Sequence, residues 1–362
     1  MRAAVLPEVG APLEITDIEL AAPGPHQVEV RVAASGVCHS DLSMQNGGIP
    51  YPLPAVLGHE GAGVVEAVGS AVTRVQPGDH VVLSWIPPCR TCATCLGGQP
   101  VLCERGLVDA LSAPYATWEG KPLLAGVGTA TFAERTLVLE RSVVPIDSSL
   151  PLEVAALVGC AVTTGVGAVI NTARVPPGST VAVVGCGGVG LSVVQGAVLA
   201  GAASVVAVDR VRDKLTLATG MGATDAVDAS QGDAVDAVRE LTGGRGVDFA
   251  FEVVGSPPTI KQAFEMTRRG GTTTLVGAGR PDEHVTFTAM ELFVDAKAIL
   301  GCVYGSADPE RDFPRLLELH RAGRLHLDRL ISRRIGLDDV NDAFRAMEAG
   351  EVARSVIVFD RS

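Results

Sequence analysis

From Val181 to Val208 the chain carries no charged side chain. That length would span a bilayer. Gly185, Gly187, Gly188 and Gly190 break it, however, so it reads as strand, turn, helix and strand, and no membrane span is expected. Val181-Ala182-Val183-Val184-Gly185-Cys186-Gly187-Gly188-Val189-Gly190 fits G-x-G-x-x-G. The pattern alone is weak. Here it follows an apolar strand and opens a helix, which is the context a dinucleotide loop needs. Gly185 permits the tight turn, Gly187 lets the backbone approach a pyrophosphate, and Gly190 allows close helix–strand packing. The helix N-terminus attracts the phosphates. Asp209 closes Ser204–Asp209 at the expected distance. Its carboxylate would accept hydrogen bonds from an adenosine ribose and repel a 2′-phosphate, which favours NAD. Arg210 and Arg212 stand where arginines could hold that phosphate instead. A glycine-rich turn without a ligand is the plain alternative.

Around this loop, Ser179–Gly185, Ser204–Asp209, Val247–Val253 and Thr272–Val276 read as buried strands. Gly188–Ala200 and Val235–Leu241 read as helices between them, the pattern of a parallel α/β sheet. Residues 1 to about 150 look different. Short runs such as Gln27–Ala33, Gly63–Val68 and His80–Leu83 are punctuated by Pro and Gly turns, so this part is β-rich. A helical stretch starts at Pro151; Phe313–Ala322 and Ser355–Phe359 read as a late helix and a final strand. The 362 residues, at about 150 per domain, give two domains. With 47% apolar and 19% charged residues the chain is not disordered. A net charge of −12 disfavours a nucleic-acid surface. No secretory h-region follows Met1, so the cytoplasm is the expected compartment.

Eight cysteines in such a chain point to metal rather than disulfides. Cys89-x2-Cys92-x2-Cys95-x7-Cys103 places four thiols in one loop. Four thiolates suit tetrahedral zinc and leave no position for substrate, which makes such a site structural. An iron–sulfur cluster or free thiols remain open, although the spacing differs from ferredoxin runs. Cys38, His59 and Cys160 are dispersed, and spacing alone does not unite them.

Gly58-His59-Glu60-Gly61-x-Gly63-x-Val65, the four-cysteine loop, Cys38-His39-Ser40-Asp41, Cys160 and the glycine loop occur in this order. In that order the chain resembles the zinc-dependent alcohol dehydrogenases of the medium-chain dehydrogenase/reductase superfamily, over essentially its full length. The resemblance implies a β-rich GroES-like catalytic domain, residues 1–160 and 304–362, and a Rossmann coenzyme domain, residues 161–303. It implies two zinc ions per chain: a structural one on the four-cysteine loop, and a catalytic one on Cys38, His59 and Cys160. Asp41 would orient His59. Glu60 would assist ligand exchange at the metal or be a buried, satisfied carboxylate. Ser40 would take the alcohol proton, with a turn residue as the alternative.

The same resemblance assigns NAD contacts to His39, Lys214 and Arg354, each with a solvated surface charge as the alternative, and sets Val189 and Thr164 beside the nicotinamide. The chain departs from the family at Ser43, where many members relay the proton through a His. The pocket is expected to include Trp85, Ile49, Gly126, Val127, Ala278 and Val303, an apolar lining for a primary alcohol or aldehyde. A thiol-adduct formaldehyde dehydrogenase, mycothiol-dependent, is the alternative. The charged pair that holds a glutathione adduct is replaced by Ile49 and Leu107. A nucleotide- and zinc-binding redox sensor without catalysis is the reading from another class. The long stretch from Glu104 to Val127 favours a homodimer over a homotetramer.

Overall fold

In the computed structural model, which describes residues 1–359, the chain divides into two units. One holds Met1–Ala161, Asp308–Ala322 and residues 327–359; the other holds Val162–Ala307 and Gly323–His326.

The first unit is organised around the strand Gln27–Val37, in which Val28, Val30, Val32 and Ala34 alternate inward. This strand lies inside a seven-stranded sheet. Across it run Val143–Pro145, His80–Leu83, Glu60–Val68, Gln27–Val37, Ser355–Val358 and Arg333–Ile335, with Arg135–Leu139 also on Gln27–Val37. Ser355–Val358 pairs antiparallel with it, Ser355 opposite Val37, so the last strand is stitched to one near the start. Gly36 also faces Glu60 on the other neighbour. A second sheet of six short strands includes Arg2–Leu6, Ala55–Val56 and Lys121–Ala125. Phe132, Leu6, Leu42 and Leu57 fill the core beside it.

The second unit is a six-stranded sheet whose strands all pair in parallel. Its order is Asp225–Asp228, Ser204–Asp209, Thr180–Val184, Val247–Glu252, Thr267–Leu275 and Ala298–Gly301. Chain direction across the sheet reverses beside Thr180–Val184, the switch point where open α/β sheets bind ligands. Gly188–Leu199, Arg212–Gly220, Ala234–Leu241 and Pro257–Met266 are its crossover helices.

The structure differs from the sequence-based boundaries in several places. The return to the first unit comes at Asp308 rather than 304, because Gly305 packs without a side chain against the Thr163 and Thr164 carbonyls. Gly323–His326 joins the second unit, where the His326 amide donates to Gln195 Oε1 at 2.7 Å. The late helix starts earlier, at Pro309, where a proline costs no hydrogen bond. Among the described residues no single helix is long and apolar enough to cross a membrane.

Phe132 is fully buried. Phe132→Ala is expected to destabilise the first unit by about 3–5 kcal/mol. Both tryptophans, Trp85 and Trp118, lie in that unit, so its urea midpoint can be followed by their fluorescence.

Candidate active site

Three separate elements bring Cys38, His59 and Cys160 together. Cys38 ends the strand Gln27–Val37 and caps the helix His39–Gln45. His59 immediately precedes the strand Glu60–Val68, which pairs with Gln27–Val37. Cys160 sits in a helix break, with φ −148° and ψ −75° after the turn Leu157–Gly159. Their ligand atoms all lie within 4.8 Å of one another, and all three residues are buried. A buried set of two thiols and one imidazole, with carboxylates behind it, fits a tetrahedral divalent cation that keeps a fourth position open.

Asp41 fixes the geometry. Its Oδ1 accepts from the Gly58 amide and from His59 Nδ1, both at 3.0 Å, and its Oδ2 accepts from the Cys38 amide at 3.3 Å. With Nδ1 on Asp41, Nε2 is the nitrogen left for a metal. Burial pulls the His59 imidazole down, but the charges of Asp41 and Cys38 outweigh it and hold its pKa well above the usual value. A hydrogen bond with Cys160 holds Cys38 well below the usual thiol range, and the same bond with burial drives Cys160 up. Trp85 stands edge-on to His59, with ring centroids 6.1 Å apart.

A second carboxylate, Glu60, is fully buried. It accepts from the Ala161 amide at 2.7 Å and pairs with Arg354 at 3.2 Å. Burial pushes it up to about 7, against the pull of Arg354. Room for it comes from Gly36, where any Cβ would collide with the carboxylate. The sequence reading passed over Gly36; the signal was a glycine two residues before a ligand. Arg354 is 5% exposed and also donates to the Val37 carbonyl, so the reading of it as a solvated surface charge is corrected. The register Ser355↔Val37 draws it in.

Cys89, Cys92, Cys95 and Cys103 also converge within 4.8 Å. Cys89 and Cys95 sulfurs are 4.0 Å apart, and those of Cys92 and Cys103 3.9 Å. Tetrahedral zinc with Zn–S bonds near 2.3 Å needs sulfur pairs about 3.8 Å apart, so the residues fit that ion. Backbone amides of Cys89 and Gly106 point at Cys103 Sγ, and that of Cys92 at Cys89 Sγ. The hydroxyl and amide of Thr91, with the Cys92 amide, draw Cys89 down to about 5. Arg90 anchors the lobe through a two-pronged pair with Asp308, at 2.8 and 2.6 Å.

In the second unit the glycine loop joins Thr180–Val184 to the helix Gly188–Leu199. Gly185 has φ 97°, and a Cβ at Gly190 would strike the Gly185 carbonyl. Asp209 accepts from the Cys186 amide at 2.7 Å and the Val211 amide at 2.9 Å, which holds it against the loop. Gly187, Gly188 and Val189 open the helix; Thr164 is buried and Lys214 half-buried in the same unit. Ala278 and Val303 are exposed on it.

In the first unit His39 is exposed, and Ser40 Oγ lies 3.9 Å from Cys38 Sγ. Ile49, Trp85 and Val127 are half-buried, and Gly126 is buried. Val127 is left-handed, at φ 49° and ψ 27°, a conformation that costs an L-residue about 1–2 kcal/mol.

Two family models match. Residues 24–148 fit the alcohol dehydrogenase GroES-like domain and residues 188–321 the zinc-binding dehydrogenase domain. The chain belongs to the zinc-binding alcohol dehydrogenases of the medium-chain dehydrogenase/reductase superfamily. It is 40% identical over 368 residues to an NDMA-dependent alcohol dehydrogenase of Amycolatopsis methanolica, covering 99% of this chain and 98% of that one. It is 39% identical to a geraniol dehydrogenase of Castellaniella defragrans, covering 99% and 97%. The solved benzyl alcohol dehydrogenase of Acinetobacter calcoaceticus superposes with a TM-score of 0.92 at 35% identity, over 99% of each chain. The mixed α/β fold, with a GroES-like domain and a Rossmann-like parallel sheet, is the fold of this family.

Asp41→Asn keeps the size of the side chain but weakens the hold on the His59 imidazole. Affinity for the metal on Cys38, His59 and Cys160 is expected to fall by about 10–100-fold, measured by chelator competition. Metal on the four-cysteine lobe is expected to stay.

Proposed function

We propose that this chain oxidises primary alcohols to aldehydes, and runs the reverse reduction, with NAD as hydride carrier. The observation that carries the reading is the buried convergence of Cys38, His59 and Cys160 with the Ser40 hydroxyl alongside. Zinc bound there would supply Lewis-acid polarisation of the alcohol oxygen, and NAD the hydride acceptor. The remaining work belongs to the chain. Asp41 orients the His59 ring. Ser40 receives the alcohol proton and passes it to solvent by water, since Ser43 replaces the usual histidine relay. Glu60, held by Arg354, stands behind the ligands to assist exchange at the fourth position. Trp85, Ile49, Gly126 and Val127 are the apolar candidates for a substrate lining on the first unit, and Ala278 and Val303 those on the second.

Asp209 supports NAD over NADP, since a carboxylate set against the loop by two amides repels a 2′-phosphate. Gly185, Gly187, Gly188 and Gly190 would admit the pyrophosphate and Lys214 would offer a ribose contact; on the first unit the candidates for cofactor contact are the exposed His39 and Arg354, whose guanidinium already pairs with Glu60 and donates to the Val37 carbonyl. Thr164 and Val189 support the nicotinamide. The four-cysteine lobe would hold the structural zinc.

The test is zinc per chain together with turnover on primary alcohols and aldehydes, with NAD, with NADP and with NDMA as external acceptor. Two zinc ions and NAD-linked turnover are expected. Two zinc ions without turnover on any free alcohol would overturn the substrate reading and favour a thiol adduct or a binding role. Ser40→Ala is expected to lower kcat by about 10²–10⁴-fold with zinc content unchanged, as loss of a proton-transfer group does.

A further inference from the structure

The turn Gly126–Gly128 is over-determined on three sides. A Cβ at Gly126 would run into the Val56 carbonyl, and one at Gly128 would lie 2.6 Å from Ala110 Cβ. Behind the turn, the Thr131 amide donates to the Gly58 carbonyl at 2.9 Å, and the Thr129 hydroxyl to the same oxygen at 3.3 Å. Gly58 is the neighbour of His59 and is itself held by Asp41. The turn and the metal-ligand segment therefore share one frame.

Inside that frame sits Val127, a β-branched residue in the left-handed region, where such residues are outliers and strain collects at functional positions. One side chain closes over it. The Tyr51 hydroxyl donates to the Ala125 carbonyl and accepts from the Val127 amide, each at 2.9 Å. Burial pushes Tyr51 up to about 12, so its proton stays on and both bonds persist at neutral pH. Tyr51 comes from the segment just after Ile49, and its ring packs on the same core border as Ile49 and Val127.

We propose that Tyr51 is a specificity-setting positioning residue: its hydroxyl clamps Ala125 and Val127 across the strained turn and so holds the Val127 side chain as a fixed wall for the alkyl or aryl part of the alcohol. The proposal rests on the reading of Val127 as a pocket residue. Without the hydroxyl the Val127 amide loses its partner, and the Val127 end of the turn is held only by its packed glycine flanks, so the valine shifts from its place. A short alcohol does not reach that wall; an aromatic one does.

The experiment is a comparison of benzyl alcohol with ethanol in the holoenzyme. Tyr51→Phe is expected to raise KM for benzyl alcohol about tenfold relative to KM for ethanol, about 1.4 kcal/mol of lost binding. kcat for the two alcohols is expected to move together, as loss of uniform binding requires. Val127→Gly removes the strain, because glycine adopts this backbone freely. In that background Tyr51→Phe is expected to change the KM ratio less than twofold further. A KM ratio in Tyr51→Phe within twofold of the parent overturns the proposal, as does an equal effect of Tyr51→Phe in both backgrounds. If Tyr51→Phe alone fails to fold, the double variant should fold with two zinc ions; failure of both overturns the proposal. Turnover on neither alcohol by the parent overturns the functional reading and this inference together. Turnover by the parent with an unshifted ratio overturns this inference alone.

Discussion

The cluster of Cys38, His59 and Cys160 depends on one buried carboxylate. Asp41 is fully buried, and a charge in that position is tolerated only when it is paired and hydrogen-bonded. Its three partners are the Cys38 amide, the Gly58 amide and His59 Nδ1. Two of these fix the backbone at Cys38 and beside His59, and the third fixes the His59 ring. Desolvation of Asp41 is thus offset only when Cys38 and His59 occupy one geometry. The group most costly to bury is the one that makes the site specific.

Glu60 repeats this logic one layer out. A carboxylate behind two thiols would repel them, and burial alone would leave it protonated. Arg354 counters both effects from the opposite side of Gly36, because Gln27–Val37 and Ser355–Val358 lie side by side there. Removing the guanidinium would leave Glu60 buried without its counter-charge, so the C-terminal strand contributes to the electrostatics of the site as well as to the sheet.

Legibility in the sequence followed the distance over which each feature is encoded. The glycine loop and the four-cysteine lobe are local: every residue they need lies within a few turns of chain, and their spacing carries the chemistry. The strands Ser204–Asp209 and His80–Leu83 were readable because one apolar run builds each of them. Cys38, His59 and Cys160 were different. They meet through a strand register, Gly36 opposite Glu60, and through a break in helical geometry at Cys160. Neither leaves a period in the sequence, so family resemblance had to unite them. Arg354 shows the same limit from the other side: the resemblance assigned it to the cofactor, with a solvated charge as the alternative, and only the pairing of Ser355 with Val37 reveals it buried against Glu60. Tyr51, between two prolines, carries no pattern at all. The helix Pro257–Met266 and the edge strand Ala298–Gly301 were passed over although Ile260, Ala263 and Phe264 recur at helical spacing and Ala298-Ile299-Leu300 is an unbroken apolar run.

The two thiol clusters also divide their labour by charge. Two thiolates balance a divalent cation, so a site built from Cys38, Cys160 and neutral His59 would carry no net charge when loaded. It can then be buried and still attract a lone pair at its fourth position. Four thiolates would leave a loaded site two charges negative. Such a site is neither electrophilic nor tolerable in a dry interior. Cys89, Cys92, Cys95 and Cys103 are accordingly half-buried, with backbone amides directed at their sulfurs. Arg90, from the same loop, is engaged outward with Asp308. The difference between a site that stabilises a fold and one that performs chemistry thus lies in ligand charge and in the depth at which that charge can be held.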